Sequence, residues 1–197
     1  MRLLYASKSY LVETGFMHTY KTGIPCKPDG SPLPWMNYNV ISFFEERLTD
    51  DLNLFEYGSG FSTLFYSRLV LKVISLEHDK KLLDNLISKV PENVKIIFKE
   101  KDHNGEYCRT IKGTNQLFDV IVIDGRDRVN CIKQSYNSLS ERGVIILDDS
   151  QREKYQDGIN FLLSKGFKKI DFEGLKPTGY TLDRTTIFYK ANNCLGI

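Results

Sequence analysis

The sequence predicts a single three-layer α/β sandwich: a seven-stranded, mostly parallel sheet with the last strand antiparallel and helices on both faces. Three observations carry this. Short β-branched runs bounded by charge alternate with segments whose apolar residues recur every three or four positions, the pattern of parallel strands joined by crossover helices. Seven such runs can be counted. The final two are separated only by Glu173–Arg184, with Pro177 and Gly179 inside, which is too short for a parallel crossover and makes the last strand antiparallel.

Length agrees with one domain. The chain has 197 residues, and at about 150 residues per domain that is one domain with decoration. At 22.8 kDa roughly 70% of the unfolded surface can be buried, so no disulfide or metal staple is needed.

Taken in order, residues 1–37 read as an amino-terminal extension or lid of irregular chain. Within it Lys27–Pro34 holds three prolines and a glycine ahead of Trp35, an ordered turn. The domain proper spans 38–197. Tyr38–Leu48 places Val40, Ile41, Phe44 and Leu48 on one helical face. Strands are expected at Asn53–Tyr57, Lys72–Leu76, Val94–Phe98, Phe118–Ile123, Gly143–Leu147, Phe167–Phe172 and Thr185–Tyr189. Crossover helices are expected at Ser62–Leu69, Lys80–Val90, Asn130–Leu139 and Arg152–Lys165, as the spacing of Leu82, Leu83, Leu86, Ile87 and Val90 shows.

Composition narrows the function classes. Hydrophobic residues at 41% and charged residues at 26% exclude a disordered or fibrous chain. Lys plus Arg number 27 against 25 acids, with no basic block, so neither nucleic acid nor an anionic membrane is the expected partner. A small neutral or zwitterionic ligand fits better. The longest uncharged apolar runs, such as Val120–Ile123 and Val144–Leu147, are strand-sized and far below the roughly 18 residues of a membrane span. Ser7-Lys8-Ser9 interrupts the apolar residues of Met1–Phe16, which therefore lacks a secretory core. Cys26, Cys108, Cys131 and Cys194 form no CxxC pair, as expected of reduced cytoplasmic thiols.

The segment Leu54-Phe-Glu-Tyr-Gly-Ser-Gly-Phe-Ser-Thr63 sets a strand, a tight Gly-x-Gly turn and a helix start in succession. Gly58 and Gly60 are expected to allow positive φ and close ligand approach, and Ser62 and Thr63 to cap the helix. Such a loop at the carboxyl end of a parallel strand is where ligands bind. Glu77 follows 17 residues beyond Gly60, close to the spacing of about 20 for an acid that holds ribose hydroxyls, so a nucleoside is implied. No Lys-Ser or Lys-Thr follows the loop, which excludes the nucleotide-hydrolase cradle, and the third glycine of a dinucleotide fingerprint is missing. Glu56, two residues before Gly58, would repel a pyrophosphate and attract a cation. An NAD-dependent oxidoreductase is the alternative enzyme class, and a catalytically idle nucleoside-binding module a third reading.

On these residues the sequence resembles the class I, Rossmann-like S-adenosylmethionine-dependent methyltransferases. Glu56-Tyr-Gly-Ser-Gly60 matches their first motif, Glu77 their ribose acid, and Phe118-Asp-Val-Ile-Val-Ile-Asp-Gly125 their fourth-strand motif. Pro34-Trp35, Ser75-Leu-Glu-His-Asp79 and Ile123-Asp-Gly-Arg-Asp-Arg128 look like a group of small bacterial methyltransferases without settled substrates. The resemblance covers about Tyr38–Lys190. It implies a cofactor site made of Glu56, Tyr57, Gly58, Ser59, Gly60, Ser62, Thr63, Glu77, His78 and Asp124. In that site Glu56, Gly58 and Gly60 lie around the methionine moiety, Glu77 on the ribose, His78 beside the adenine and Asp124 near the methyl donor. S-adenosylhomocysteine would be the product.

Methyl transfer from a sulfonium is in-line, so the protein chiefly aligns the acceptor, a small molecule or glycan-type compound methylated on oxygen or nitrogen. A hydroxyl acceptor needs a base, and the candidates are Asp124, Asp148 and Asp149 at the ends of the fourth and fifth strands. Sharing a Mg²⁺ among these three, partly as in catechol-type O-methyltransferases, is the less favoured reading. Those enzymes carry Asp-Asn where this chain has Asp148-Asp149, and capping of the following helix by Asp148 or Asp149 is the leading one. Trp35 and Tyr180, from the segments expected to overhang the site, are candidates to stack on the acceptor. Arg126 and Arg128 are either a clamp for an anionic or sugar acceptor or salt-bridged loop charges. His18 and His103 read as solvated.

Overall fold

The structure, a computed structural model, describes residues 6–197. The Met1–Tyr5 part of the leader reading lies outside the described residues. Seven strands form one sheet: β1 (Asn53–Tyr57), β2 (Lys72–Glu77), β3 (Val94–Phe98), β4 (Phe118–Ile123), β5 (Leu139–Leu147), β6 (Lys168–Gly174) and β7 (Asp183–Tyr189). Their spatial order is β3-β2-β1-β4-β5-β7-β6. β1 to β5 pair in parallel, and β7 runs antiparallel to both β5 and β6. The class I methyltransferase-like expectation of a final antiparallel strand is met.

The helices are α1 (Tyr10–Glu13), α2 (Phe16–Thr22), α3 (Tyr38–Arg47), α4 (Phe61–Tyr66), α5 (Lys80–Leu86), α6 (Glu106–Arg109), α7 (Arg128–Ser135) and α8 (Gln156–Ser164). The central strands are apolar on consecutive positions because both their faces are covered. In β4, Val120 and Val122 join one core with α3 and α4 through Val40, Phe44 and Phe65. Ile121 and Ile123 join the other, with Ile132 of α7 and Leu162 of α8. Each such side chain contributes about 1.5–3 kcal/mol by leaving water. The carboxyl ends of β1, β2 and β4 are thereby fixed from both sides, and those ends carry the loops of interest.

The structure departs from expectation in several places. The chain ahead of α3 is not wholly irregular: Ser9 caps α1 through its side chain, and Gly15 and Gly23, both at positive φ, bound α2. These helices are too short for a periodic signal. Residues 6–37 also share the domain's core, since Leu33 and Met36 are buried against the α3 face. β5 begins at Leu139, four residues ahead of the expected Gly143, because Leu139 pairs with Phe118 ahead of an irregularity in the register that leaves the exposed Glu141-Arg142 without strand partners or an apolar pattern. α3 starts where expected. Its cap Asn37 accepts from the Val40 amide at 3.0 Å and donates to Phe172 O at 3.0 Å and Thr185 Oγ1 at 3.2 Å, tying the helix to β6 and β7.

Candidate functional site

From β1 the chain steps outward through β2 to β3 and then crosses back to β4 on the other side of β1, the reversal at which ligands bind in open α/β sheets. A cleft of about 460 Å³ lies there. Its walls are the loops after β1, β2 and β4, and residues 25 and 35 close it from the amino-terminal side.

The loop after β1 is shaped by one glycine. Gly58 has φ 97°, and a Cβ on it would lie 2.9 Å from Gly125 Cα, so conformation and the approach of the β4 loop both exclude a side chain. Gly60 behaves differently from expectation: its φ of 162° is extended. A Cβ there would meet nothing within 4 Å, so the residue leaves open space on the cleft wall.

Glu56 lies behind this loop, fully buried. It accepts hydrogen bonds from Ser62 Oγ, from Thr63 Oγ1 at 2.6 Å and from Ser75 Oγ at 2.8 Å. Among the described residues no Lys, Arg or His lies within 4.0 Å of it, and burial pushes its pKa up to about 7 against these three hydroxyls. Thr63 caps α4 in reverse, accepting from the Gly60 amide at 3.1 Å. Ser62 lines the cleft and separates Glu56 from it.

Glu77 terminates β2 with 2% exposure. Its Oε2 accepts from Ser59 N at 3.0 Å and Ser59 Oγ at 2.6 Å, and its Oε1 from the His78 and Asp79 amides, both at 2.7 Å. Glu77 thus joins the first two loops. A ligand hydroxyl that reaches it competes with the Ser59 hydroxyl, the one side-chain donor in this set. His78 Nδ1 lies 3.0 Å from Glu77 Oε1 but off the axis of a hydrogen bond. Its Nε2 accepts from Arg126 Nε at 3.3 Å.

Beyond β4 and β5, Asp124, Asp148 and Asp149 bring carboxylate oxygens within 4.8 Å of one another. Arg128, buried, binds this group: its Nη2 donates to Asp124 Oδ1 at 2.8 Å, its Nη1 to Asp148 O at 2.5 Å, and Nη1 lies 3.5 Å from Asp149 Oδ2. Arg152 and Lys176 reach Asp149 at 2.9 and 3.1 Å. Asp149 therefore serves as an ion-pair centre, and neither it nor Asp148 caps the next helix, which begins only at Gln156 after a short 3-10 turn. Burial and the neighbouring carboxylates Asp124 and Asp149 hold the Asp148 carboxyl well above the usual carboxylate range, although Thr185 Oγ1 donates to it at 2.7 Å. Burial raises Asp124 as well, with Arg128 pulling the other way. The side chain of Asp124 keeps 23% exposure on the cleft.

Of the residues singled out by sequence, the cleft brings together Trp35, Gly58, Ser59, Gly60, Ser62, Glu77, His78, Asp124, Arg126 and Arg128. Glu56, Tyr57, Thr63, Asp148 and Asp149 stand outside its lining. The Tyr57 ring is in the core, its hydroxyl donating to Cys108 O at 2.9 Å. Tyr180 is 93% exposed and off the cleft, because the 175–182 turn anchors itself through Lys176 instead. Trp35 lines the cleft and donates from its indole to Pro177 O at 2.6 Å, joining the extension to that turn. Pro25, Phe61, Asp79 and Leu82 also line the cleft and were not singled out. Phe61 and Leu82 are apolar and exposed, which becomes visible only once the loops around them are folded.

No protein-family model and no curated protein matches this sequence. Solved structures do. A candidate caffeoyl-CoA O-methyltransferase of Staphylococcus aureus superposes with a TM-score of 0.60 at 13% identity, covering 91% of this chain and 92% of that one. A precorrin-6y C5,15-methyltransferase of Geobacter metallireducens gives 0.57 at 20% identity over 77% and 87%. Aeropyrum pernix fibrillarin, solved with natively bound S-adenosyl-L-methionine, gives 0.56 at 12% identity over 72% and 68%. The chain has the class I methyltransferase fold. These neighbours place their shared topology, and not an acceptor, on this chain.

Two outcomes follow from the site's electrostatics. Replacing Arg128 by Ala leaves buried carboxylates uncompensated and is expected to cost about 3–5 kcal/mol in denaturant unfolding, with Lys a poor substitute; a loss below about 1 kcal/mol would contradict its role as the tie. Because the folded pKa of Glu56 exceeds its ordinary 4.5, its contribution to stability is complete below that pH and disappears as pH rises through about 7. The melting temperature of the ligand-free protein should therefore fall between about pH 5 and about pH 8, and Glu56→Gln should flatten that slope. An unchanged slope in the variant would show that Glu56 does not titrate there.

Proposed function

We propose that this protein is an S-adenosylmethionine-dependent methyltransferase acting on a small-molecule or glycan-type acceptor, by in-line transfer to oxygen or nitrogen. The observation that carries the reading is the cleft at the sheet reversal, backed by a buried carboxylate with no cation of its own. Glu56 favours a positively charged ligand in the cleft, and a pyrophosphate there would add like charge. Open space at Gly60, beside Ser62 on the cleft wall, suits the amino-acid end of such a ligand. Glu77 suits ribose hydroxyls, and His78, Leu82 and Phe61 offer a flat, largely apolar border for a base. When bound, the cofactor supplies an electrophilic methyl group on a sulfonium.

The chain's own contribution is alignment, desolvation and proton handling. Of the two candidate catalytic acids, Asp124 is open to the cleft and is held by Arg128, so it is the one placed to take an acceptor proton. Asp148 is enclosed and lies outside the cleft lining, and burial and its carboxylate neighbours favour its protonated form. Mg²⁺ does not fit the three carboxylates as they stand, because Arg128 and Lys176 already occupy the approaches to Asp124 and Asp149. The proposed mechanism therefore runs without a metal step. Unpaired Cys26, Cys108, Cys131 and Cys194 support a reducing, cytoplasmic setting for the reaction.

Calorimetric titration separates this reading from its rivals. S-adenosylhomocysteine is expected to bind at micromolar concentration and NADH not at all; the reverse result would favour an oxidoreductase. Affinity without turnover on any of a broad acceptor panel would mark an idle binding module. Glu77→Ala, checked for an intact melting transition, should weaken S-adenosylhomocysteine by about 1–3 kcal/mol, or about 5- to 150-fold. Unchanged affinity would refute the ribose assignment.

A further inference from the structure

A second cavity, of about 530 Å³, adjoins the cleft and shares Gly125, Arg126 and Arg128 with it. Its cationic lining is Arg126, Arg128, Lys133, Arg152 and Lys154, against the carboxylates of Asp127 and Asp157. Two of the five cations are committed, Arg128 to Asp124 and Arg152 to Asp149. Arg126, Lys133 and Lys154 are exposed, and among the described residues none has a carboxylate within 4.0 Å. Asp127, by contrast, is satisfied: His103 Nδ1 lies 3.1 Å from it, and Asn130 Nδ2 and the Asn104 amide donate to it at 2.8 Å each. Tyr155 forms part of the cavity wall, with the Arg128 guanidinium and Lys154 ammonium over its ring at 5.2 and 5.1 Å.

An excess of unpaired cations is therefore collected in one concavity, on a chain whose net charge is only +2. Unpaired like charges repel one another, and an oxyanion between them removes that repulsion while gaining charge-assisted hydrogen bonds. The position matters as much as the charge. Arg128 lines both cavities and holds Asp124, which lines the first, so a molecule whose anionic end occupies the second can present its reacting atom to the first.

We propose that this second cavity is the acceptor subsite and that it takes an oxyanion, phosphate or carboxylate, borne by a small acceptor. This rests on the methyltransferase reading and adds the substrate class to it. Arg126 then serves both cavities, bracing His78 with Nε and leaving its terminal nitrogens for the anion.

The test titrates inorganic pyrophosphate and, separately, D-glucuronate into the full chain saturated with S-adenosylhomocysteine. At least one is expected to bind, and Lys133→Gln with Lys154→Gln is expected to weaken it by about tenfold or more while S-adenosylhomocysteine affinity stays within about twofold. Preference for pyrophosphate assigns a phosphorylated acceptor, and preference for glucuronate a carboxylated one. Binding of neither probe, or equal binding by the double variant, overturns the proposal, as does tighter binding of an oligouridylate than of both. If S-adenosylhomocysteine itself fails to bind, the methyltransferase reading falls instead, and the same titrations on the ligand-free chain still decide the cavity. Should the double variant not fold, Lys154→Gln alone, on an exposed side chain, takes its place.

Discussion

A carboxylate enclosed without a cation is the constraint around which this site is organised. Removing an ionised carboxylate from water costs several kcal/mol unless something compensates it. Here the compensation is three hydroxyls, from Ser62 and Thr63 on α4 and Ser75 on β2. Hydrogen bonds to a charged group contribute about 1.5–3 kcal/mol each, enough to hold the group in place and not enough to keep it fully ionised at neutral pH. Those bonds also fix the geometry, since they pin the first turn of α4 to β1 and β2. The loop between has one path, and Gly58 at positive φ permits it.

The opposite wall is built on the reverse principle, clustered carboxylates bound by cations. Arg128 donates to backbone and side chain after β4 and to backbone after β5, so one residue sets the spacing of the two loops. Lys176 and the Trp35 indole connect this wall and the amino-terminal extension to the same 175–182 turn. The roof of the cleft is thus held by a few polar contacts between loops, and the floor by two apolar cores. Elements held this way open at lower free energy than the sheet beneath them.

What could be read from sequence divides along the same line. The strands and long helices were legible because their apolar periodicity reports burial directly, and the Gly-x-Gly loop and Glu77 because their chemistry is local to a strand end. The start of β5 was not, since Leu139 pairs with Phe118 ahead of a break in register and the residues between it and Val144 carry no pattern. Asp148 and Asp149 looked like helix caps because Asp-Asp-Ser precedes a helical segment; what overrides that is Arg128, twenty residues away in sequence and brought in by the β4–β5 pairing. Tyr180 sits in a turn whose anchoring by Lys176 has no local signature. Phe61, Leu82 and Pro25 line the cleft for the same nonlocal reason: their neighbours come from other loops. Gly60 was expected at positive φ, and the reason for a glycine there is open space rather than backbone strain.

The central claim is that Glu56 awaits a positive charge. It is tested most directly by titrating S-adenosylmethionine near neutral pH in buffers of different ionisation enthalpy, which counts protons exchanged on binding. A fraction of a proton per site should be released as the cation draws Glu56 into its charged form, and Glu56→Gln should abolish that release. Binding with no proton exchange by the natural chain, at an affinity the variant shares, would contradict the claim.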